Sequence, residues 1–409
     1  MDKAKKKKHL KKRKKDSPEN YARVGIIYFK IIWVSNRFES IVRNFVRWSR
    51  QELLVDFSDN KHLLKKIKIY DGFGMFPDNT KNGYVKSEYN LLNRYDSFLY
   101  EPKEGEWGYV RAFLMHIFGE QYNLGLRYFQ TLYMYPKVIL PVLVLVSKAR
   151  ETGKTTFLNF VMAIFGNNAV MLNNEMIGSS FNGSYAWKNI ICIDEAGLNH
   201  NNLDEKIKLL STAKTIEVNE KFVPHYSLPF YGKLIIASNK ENSFLRIDSE
   251  EVRYFIRKLK KPKTHDSFFL DKMIGQIPAF IYHLSQMEEP DFNKSRQLFT
   301  VKELKNDSLK AVVEESKSYV YKELQESFIE LFANNDISDS IVHATPTDIK
   351  QRFFINNHKI DRVQVKKALK DEFGFKKEGL SRYVPFGIRN MSSKTGRPWV
   401  IEKRIFMEE

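Results

Sequence analysis

A chain of 409 residues is long enough for two or three domains, each with its own apolar core. Its formal charge of +18 and pI near 9.5 favour a polyanionic partner. The single cysteine, Cys192, excludes an intramolecular disulfide, and the longest apolar run, Val138–Val146, holds Pro141 and is too short to span a bilayer. With no apolar core at the N-terminus to make a signal peptide, the expectation is a soluble cytoplasmic protein without a membrane partner.

Half of the net charge sits at the start. Met1–Lys15 carries ten Lys and Arg against Asp2, so residues 1–17 read as a basic tail. The run fits a DNA-gripping arm as well as a solvated tail or a localisation signal. Residues 18–109 read as an α+β region. Within it Val24–Val34 looks like a strand, and Asn36–Val55 repeats Phe38, Ile41, Val42, Phe45 and Trp48 between arginines as an amphipathic helix would. Asp71–Pro102, rich in Gly, Pro and Asn, reads as short strands and turns.

Residues 110–295 form the expected catalytic domain. Helices over Val110–Phe118 and Tyr122–Tyr135 precede Pro136, and strands then alternate with helices across Lys137–Lys263. Such alternation predicts an α/β domain with a parallel sheet. Ser267–Glu289 and Val301–Asn334 read as helical, the latter inside a connector over 296–340.

The centre of this domain is Val142–Phe157, VLVLVSKARETGKTTF. A β-branched run, a loop with Gly153-Lys154-Thr155, and an apolar helix from Thr156 give the order strand, phosphate-cradling loop, helix. Backbone N–H groups at the helix start, with the helix dipole, favour an anion. Arg150, Glu151, Thr152, Gly153, Lys154, Thr155 and Thr156 are thus the expected nucleotide-binding segment. Lys154 would pair with the β/γ-phosphates of ATP, and Thr155 would ligate Mg²⁺. The loop departs from the strict pattern in Lys148, where the first Gly belongs, and in Glu151.

Asn189–Glu195 reads as an apolar strand ending in Asp194-Glu195, forty residues after Lys154. Asp194 would hold the Mg²⁺ shell and Glu195 would orient or activate the attacking water. A second buried strand, Lys233–Ala237, ends near Asn239, whose amide can bond that water. Arg253 follows fourteen residues later, flanked by Arg246 and Arg257. Any of the three arginines can supply charge to a phosphoryl transition state or pair with surface acids. Between these motifs Thr215–Pro229 alternates as a hairpin does. Lys221 at its tip, with His225 nearby, fits a DNA-phosphate contact, though a plain surface hairpin fits as well.

Residues 341–409 read as a winged-helix-like unit. Thr345-Pro346-Thr347-Asp348 starts one helix, and Asp361–Phe373 forms a second. Ser381–Ile388 and Pro398–Phe406 would be strands around a hinge at Ser392–Arg397. Lys366, Lys367 and Lys370 would then face DNA, with Lys394 and Arg397 on the wing. A helical cap with a solvated basic face is the competing reading.

The ordered set over Tyr84–Leu259 resembles the superfamily 3 helicases, and more narrowly the helicase half of phage, plasmid and poxvirus-type primase–helicases. PVLVLVSKARETGKTTF, FNGSYAWKNIICIDEA, KTIEVNEKF and KLIIASN carry the likeness. It implies an AAA+-type ATPase using ATP and Mg²⁺. It also implies a homo-hexameric ring drawing single-stranded DNA through its centre at a fork. Lys154, Thr155, Asp194, Glu195 and Asn239 match the nucleotide motifs, Lys221 the DNA-contacting lysine, and Arg253 the arginine acting across subunits. No primase acidic pair is evident, so a separate primase or polymerase is the expected partner. Against this replicative helicase stands a DNA-binding loader or origin-binding protein with weak ATPase, which the unusual loop favours. A small-molecule P-loop kinase fits the long basic flanks poorly.

Overall fold

Gly25, with φ of +57°, lets the chain reverse inside what reads as one strand. The result is a hairpin of β1 (Tyr21–Val24) and β2 (Ile27–Ser35). The computed structural model describes residues 17–194, 203–221, 224–239, 252–262, 266–333, 339–357, 359–388 and 391–407. It divides into two compact units, Met1–Val312 and Val313–Glu409.

The amphipathic helix expected over Asn36–Val55 is instead a strand, β3 (Ile41–Trp48), followed by a short helix, Arg50–Asp56. Ile41–Trp48 is rich in β-branched and aromatic side chains, and all eight of its residues pair with β2. That ladder overrides the helical spacing. Arg43, expected on a solvent face, is buried and donates to Asp96 Oδ1 at 2.7 Å and to two backbone carbonyls. β4 (Lys68–Tyr70) completes a sheet of order β3-β2-β1-β4. β5 (Gly72–Gly74), β6 (Ser87–Glu88) and β7 (Leu91–Asn93) make a small second sheet within the turn-rich stretch.

The centre of the first unit is a parallel sheet of β8 (Val142–Val146), β9 (Ala169–Leu172), β10 (Ile190–Ile193), β13 (Lys233–Ser238) and β14 (Tyr254–Lys258). Its order is β14-β8-β13-β10-β9. Every residue of β8 and β10 is buried, as parallel strands covered on both faces require. Helices Gly108–Phe118, Tyr122–Met134 and Lys154–Phe165 supply Phe118, Phe129 and Phe157, which pack edge to face with one another, while Phe118 stacks on Phe255 of β14. β11 (Thr215–Val218) and β12 (Tyr226–Pro229) form the expected antiparallel hairpin outside this sheet. The mixed α/β class with a parallel sheet is therefore observed. Among the described residues no helix is long and apolar enough to cross a membrane.

The helical stretch Val301–Asn334 is three helices, Val301–Leu304, Asp307–Ser316 and Tyr319–Ala333. Asn306 breaks it: its Nδ2 donates to the Ile256 carbonyl while its Oδ1 accepts from Leu309 N–H and caps the second helix. The last of the three contributes Val320, Leu324, Phe328, Leu331 and Phe332 to the core of the second unit, so the segment 296–340 is shared between units.

In the second unit β15 (Ile341–Ala344) leads into helix Pro346–Phe353, capped by the reciprocal Thr345–Asp348 pair. Helix Arg362–Lys367 follows, capped by Asp361 and Gln364. β16 (Ser381–Tyr383) pairs with β17 (Lys394–Gly396), and β18 (Trp399–Glu402) pairs with β15. The hinge expected at Ser392–Arg397 thus contains a strand. The ladder bonds of Lys394–Gly396 hold what its Ser, Lys, Thr and Gly composition left unassigned.

Lys233, at the first position of β13, is buried without a carboxylate among the described groups near it. Burial pulls its ammonium down to about 7. The Nζ donates to the carbonyls of Pro136 and Tyr231, but Asn189 Nδ2 donates to both of these at 2.9 Å as well. Folded and unfolded chains both protonate this amine below pH 7, so its destabilising effect is complete there. The effect fades as pH rises from 7 towards 10.5, where the unfolded chain binds the extra proton. Lys233→Met leaves both carbonyls bonded. It should raise the melting temperature at pH 7, with the gain shrinking steadily in melts taken up to pH 10.

Candidate functional site

Parallel strands end together, and this determines the site. Register sets Ser238 beside Val146, and Ile193 beside Ile236. Hence Asn239, Asp194 and the loop that leaves β8 emerge at one edge of the sheet. Ser147 N–H donates to the Ser238 carbonyl at 3.1 Å, which ties the start of the loop to the residue before Asn239. Asp194 lies two strands from β8, roughly 10 Å away at the usual strand spacing. Its backbone N–H donates to the Leu172 carbonyl and its side chain is half-buried. Glu195 lies outside the described residues.

Gly153 is left-handed, with φ of +96°, and opens the twelve-residue helix Lys154–Phe165. A Cβ at Gly153 would stand 3.2 Å from the Phe113 ring. Lys154 is buried and its Nζ donates to the Ser147 carbonyl at 2.9 Å, reaching also towards Thr152 Oγ1 at 3.4 Å and the Ala149 carbonyl at 3.5 Å. The ammonium is therefore folded into the cradle of its own loop, where an anion's oxygens would compete for it. Thr152 is buried, Arg150 and Thr155 are exposed, and Thr156 is half-buried. Glu151 takes φ of +60°. Its carboxylate is exposed, 3.8 Å from Lys261 Nζ, so its charge is directed at a cation.

Four residues around the loop carry no sequence signal. His116 Nε2 lies 3.0 Å from the Thr152 carbonyl, Phe113 underlies Gly153, Lys261 faces Glu151, and Arg37 donates to Asn159 on the helix that follows. Each comes from a distant segment, so no local motif could announce it. Among the described residues no three His, Cys, Asp or Glu side chains gather to hold a metal. A lysine, a threonine hydroxyl and one carboxylate nevertheless suit Mg²⁺ delivered with a polyphosphate, because that ion is commonly held by one or two carboxylates plus phosphate oxygens.

The arginines separate clearly. Arg253 precedes β14, and its carbonyl accepts from Val142 N–H at 2.7 Å at the opening of β8. It therefore stands at the sheet edge opposite the loop, about 16 Å from it for five residues of strand. Arg257 is buried, donating to Glu120, Gln121 and the Ile117 carbonyl. That cage makes it structural. Arg246 lies outside the described residues.

In the hairpin Lys221 is exposed, with its Nζ 5.6 Å from the Phe181 ring centroid. His225 Nδ1 is 3.4 Å from Glu217 Oε1. The turn end of the hairpin is held by Asn182, which exchanges backbone and side-chain bonds with Asn219 and donates to the Glu217 carbonyl. In the second unit Lys366, Lys367, Lys370 and Arg397 are exposed. Lys394 is not available in the same way: its Nζ sits 2.8 Å from the buried Asp348 carboxylate. Burial alone would raise Asp348, but bonds from Lys394, Thr345 and Tyr383 outweigh it and hold the carboxyl below the usual range.

A family model described as a family of unknown function, DUF5906, matches residues 145–257, from the end of β8 to β14. No curated protein matches the chain. Three apo structures of the C-terminal region of NrS-1 are similar to it, with TM-scores of 0.64, 0.63 and 0.62. Each is 14% identical and covers 91% of this chain, and the chain covers 96%, 94% and 96% of theirs. At that identity the likeness is one of fold.

Gly153→Ala combines a left-handed alanine with a close Phe113 contact and should distort the loop at a cost of about 1–2 kcal/mol. If the loop holds Mg-ATP, the apparent affinity read from its effect on thermal melts should fall about tenfold. Adding Phe113→Leu, which removes the ring at 3.2 Å, should recover part of it.

Proposed function

We propose that the chain is an ATP-driven DNA helicase built on a P-loop AAA+-type domain, working on single-stranded DNA as a homo-hexameric ring. The observation that carries this reading is the common edge at which the Lys154 loop, Asp194 and Asn239 meet. In it Lys154 and the N-terminus of its helix bind the β/γ-phosphates of ATP, while Thr155 and Asp194 hold Mg²⁺. Glu195 orients the water and Asn239 bonds it. Bound Mg²⁺ supplies charge neutralisation for the transferring phosphoryl group. The strand order supports the reading, because β13 sets Asn239 between the phosphate loop and the acid.

Lys221, exposed at the end of a hairpin off the sheet, serves as the DNA contact. The basic tail and the exposed lysines of the second unit add sequence-independent grip. Its substrates are single-stranded and forked DNA, and priming belongs to a separate protein. The outward-facing pair of Glu151 and Lys261 argues against the loader with weak turnover, because the carboxylate does not oppose a phosphate. ATPase activity stimulated by single-stranded DNA is the primary test. Lys154→Ala should lose nucleotide binding and turnover together; Glu195→Gln should lose turnover and keep ATP. Wild-type hydrolysis in either variant would refute the site.

The distance of Arg253 from its own loop supports an action across a subunit boundary. A head-to-tail ring repeats one interface, so each site takes its loop from one subunit and its arginine from the next. Arg253→Ala and Lys154→Ala should each be inactive. Mixed equally and allowed to exchange, they should restore ATPase at roughly one interface in four. No recovery at any ratio, with exchange verified, would assign the arginine elsewhere.

A further inference from the structure

Away from the sheet edge just described, the N-terminal sheet carries a second basic and aromatic site. Register aligns Arg23 of β1 with Tyr28 of β2, and Tyr28 with Trp48 of β3. Their side chains thus form a row across three strands on one face. With Ile26, Ile27 and Arg50 they line a cleft of about 420 Å³. Ile26, at the hairpin tip, is 89% exposed and forms an aliphatic rim.

The walls are fixed from behind. Trp48 Nε1 donates to Asp56 Oδ2 at 2.8 Å, and the same carboxylate takes Tyr21 Oη at 2.5 Å and Lys30 Nζ at 3.1 Å. This carboxylate is occupied below the cleft and does not line it. Arg23 Nε donates to the Gly25 carbonyl at 2.9 Å, an arrangement that aims the guanidinium and leaves its terminal nitrogens outside that bond. Neither Arg23 nor Arg50 is ion-paired with a carboxylate among the described residues. Two guanidiniums beside two braced aromatic rings match the two halves of a nucleotide: phosphate for the arginines, a base face for the rings.

We propose that this cleft binds single-stranded DNA, one nucleotide stacking on Tyr28 and Trp48 while Arg23 and Arg50 hold its flanking phosphates. A lone anion would need no aromatic wall, and an apolar peptide would leave two guanidiniums desolvated. The site is distinct from Lys221 and from the ATP edge, and its recognition tolerates any base because every base has a stacking face.

The test uses the full chain without ATP and an oligothymidylate carrying a photoreactive halogenated uracil. Cross-linking followed by peptide mapping should mark Tyr28 or Trp48. Arg23→Gln with Arg50→Gln should lower oligonucleotide affinity about tenfold and flatten its log–log salt dependence by about 1.4, at 0.7 per lost phosphate contact on a single strand. The cross-link needs no variant, so it decides the matter even if the double variant melts early. Cross-links confined to other peptides, or an unchanged salt slope, would overturn the proposal. Displacement of the oligonucleotide by thymidine monophosphate at equal base concentration would also overturn it, assigning the cleft to a free nucleotide. None of these readouts uses ATP turnover: an inactive ATPase would refute the helicase reading and leave them standing.

Discussion

The structure of the first unit depends on the parallel ladder that joins β14, β8, β13, β10 and β9. Parallel strands cannot be joined by tight turns, so each connection runs over a face and each strand restarts from the same edge. Chemistry then collects at the opposite edge by construction. Ser147, Asp194 and Asn239 each follow directly on one of three strands separated by long stretches of sequence, yet register alone brings them to one line. The all-apolar strands VLVLV and IICI fix that register by burial on both sides. The same geometry holds Arg253 at the far edge, at the opening of β8.

Buried positive charge is the second theme, and it is handled in three ways. Arg43 and Arg257 have carboxylates: Asp96 for one and Glu120 for the other. Lys154 donates to the Ser147 carbonyl and reaches towards the Thr152 hydroxyl within its own loop. Lys188 donates to the Asn167 carbonyl and Lys233 to those of Pro136 and Tyr231; burial draws them down to about 8 and about 7, with Asp96 opposing the shift at Lys188. A lysine held by neutral acceptors is loosely committed. At Lys233 that arrangement is simply destabilising.

What could be read from the residues was whatever depends on local pattern. A buried strand followed by a glycine-bearing loop and a helix is recognisable within sixteen residues, and so were the strand of Asp194, the Thr215–Pro229 hairpin and the Thr345–Asp348 cap. Ile41–Trp48 was not recognisable, because its spacing suits a helix and only the pairing of all eight of its residues with β2 decides against one. Lys394 looked like a wing residue because nothing nearby in sequence reveals Asp348, which lies 46 positions away. His116 beneath the loop and Asn182 at the turn end of the hairpin are likewise products of tertiary placement. Periodicity reports which face is apolar; it does not report which distant atom a polar group will find.

The hairpin illustrates how such distant contacts join the elements of the proposed mechanism. Asn182 holds both Asn219 and Glu217, so the turn end of the hairpin cannot shift without the segment that contains Asn182. That segment continues through Trp187 and Asn189 directly into β10, which ends beside Asp194. Arg94 braces the same region, with its guanidinium 5.3 Å from the Trp187 ring and 4.9 Å from Phe73 of β5. Burial lowers the pKa of Arg94, and the largest opposing influence is Glu220, the neighbour of Lys221. The strand that leads to Asp194 is thus continuous with the segment that moors the hairpin of Lys221. Under the helicase reading, a small displacement of β10 on loss of phosphate would reach Lys221 along this segment and across the Asn182–Asn219 hydrogen bonds. The aromatic brace around Arg94 gives the hairpin a fixed body to move against.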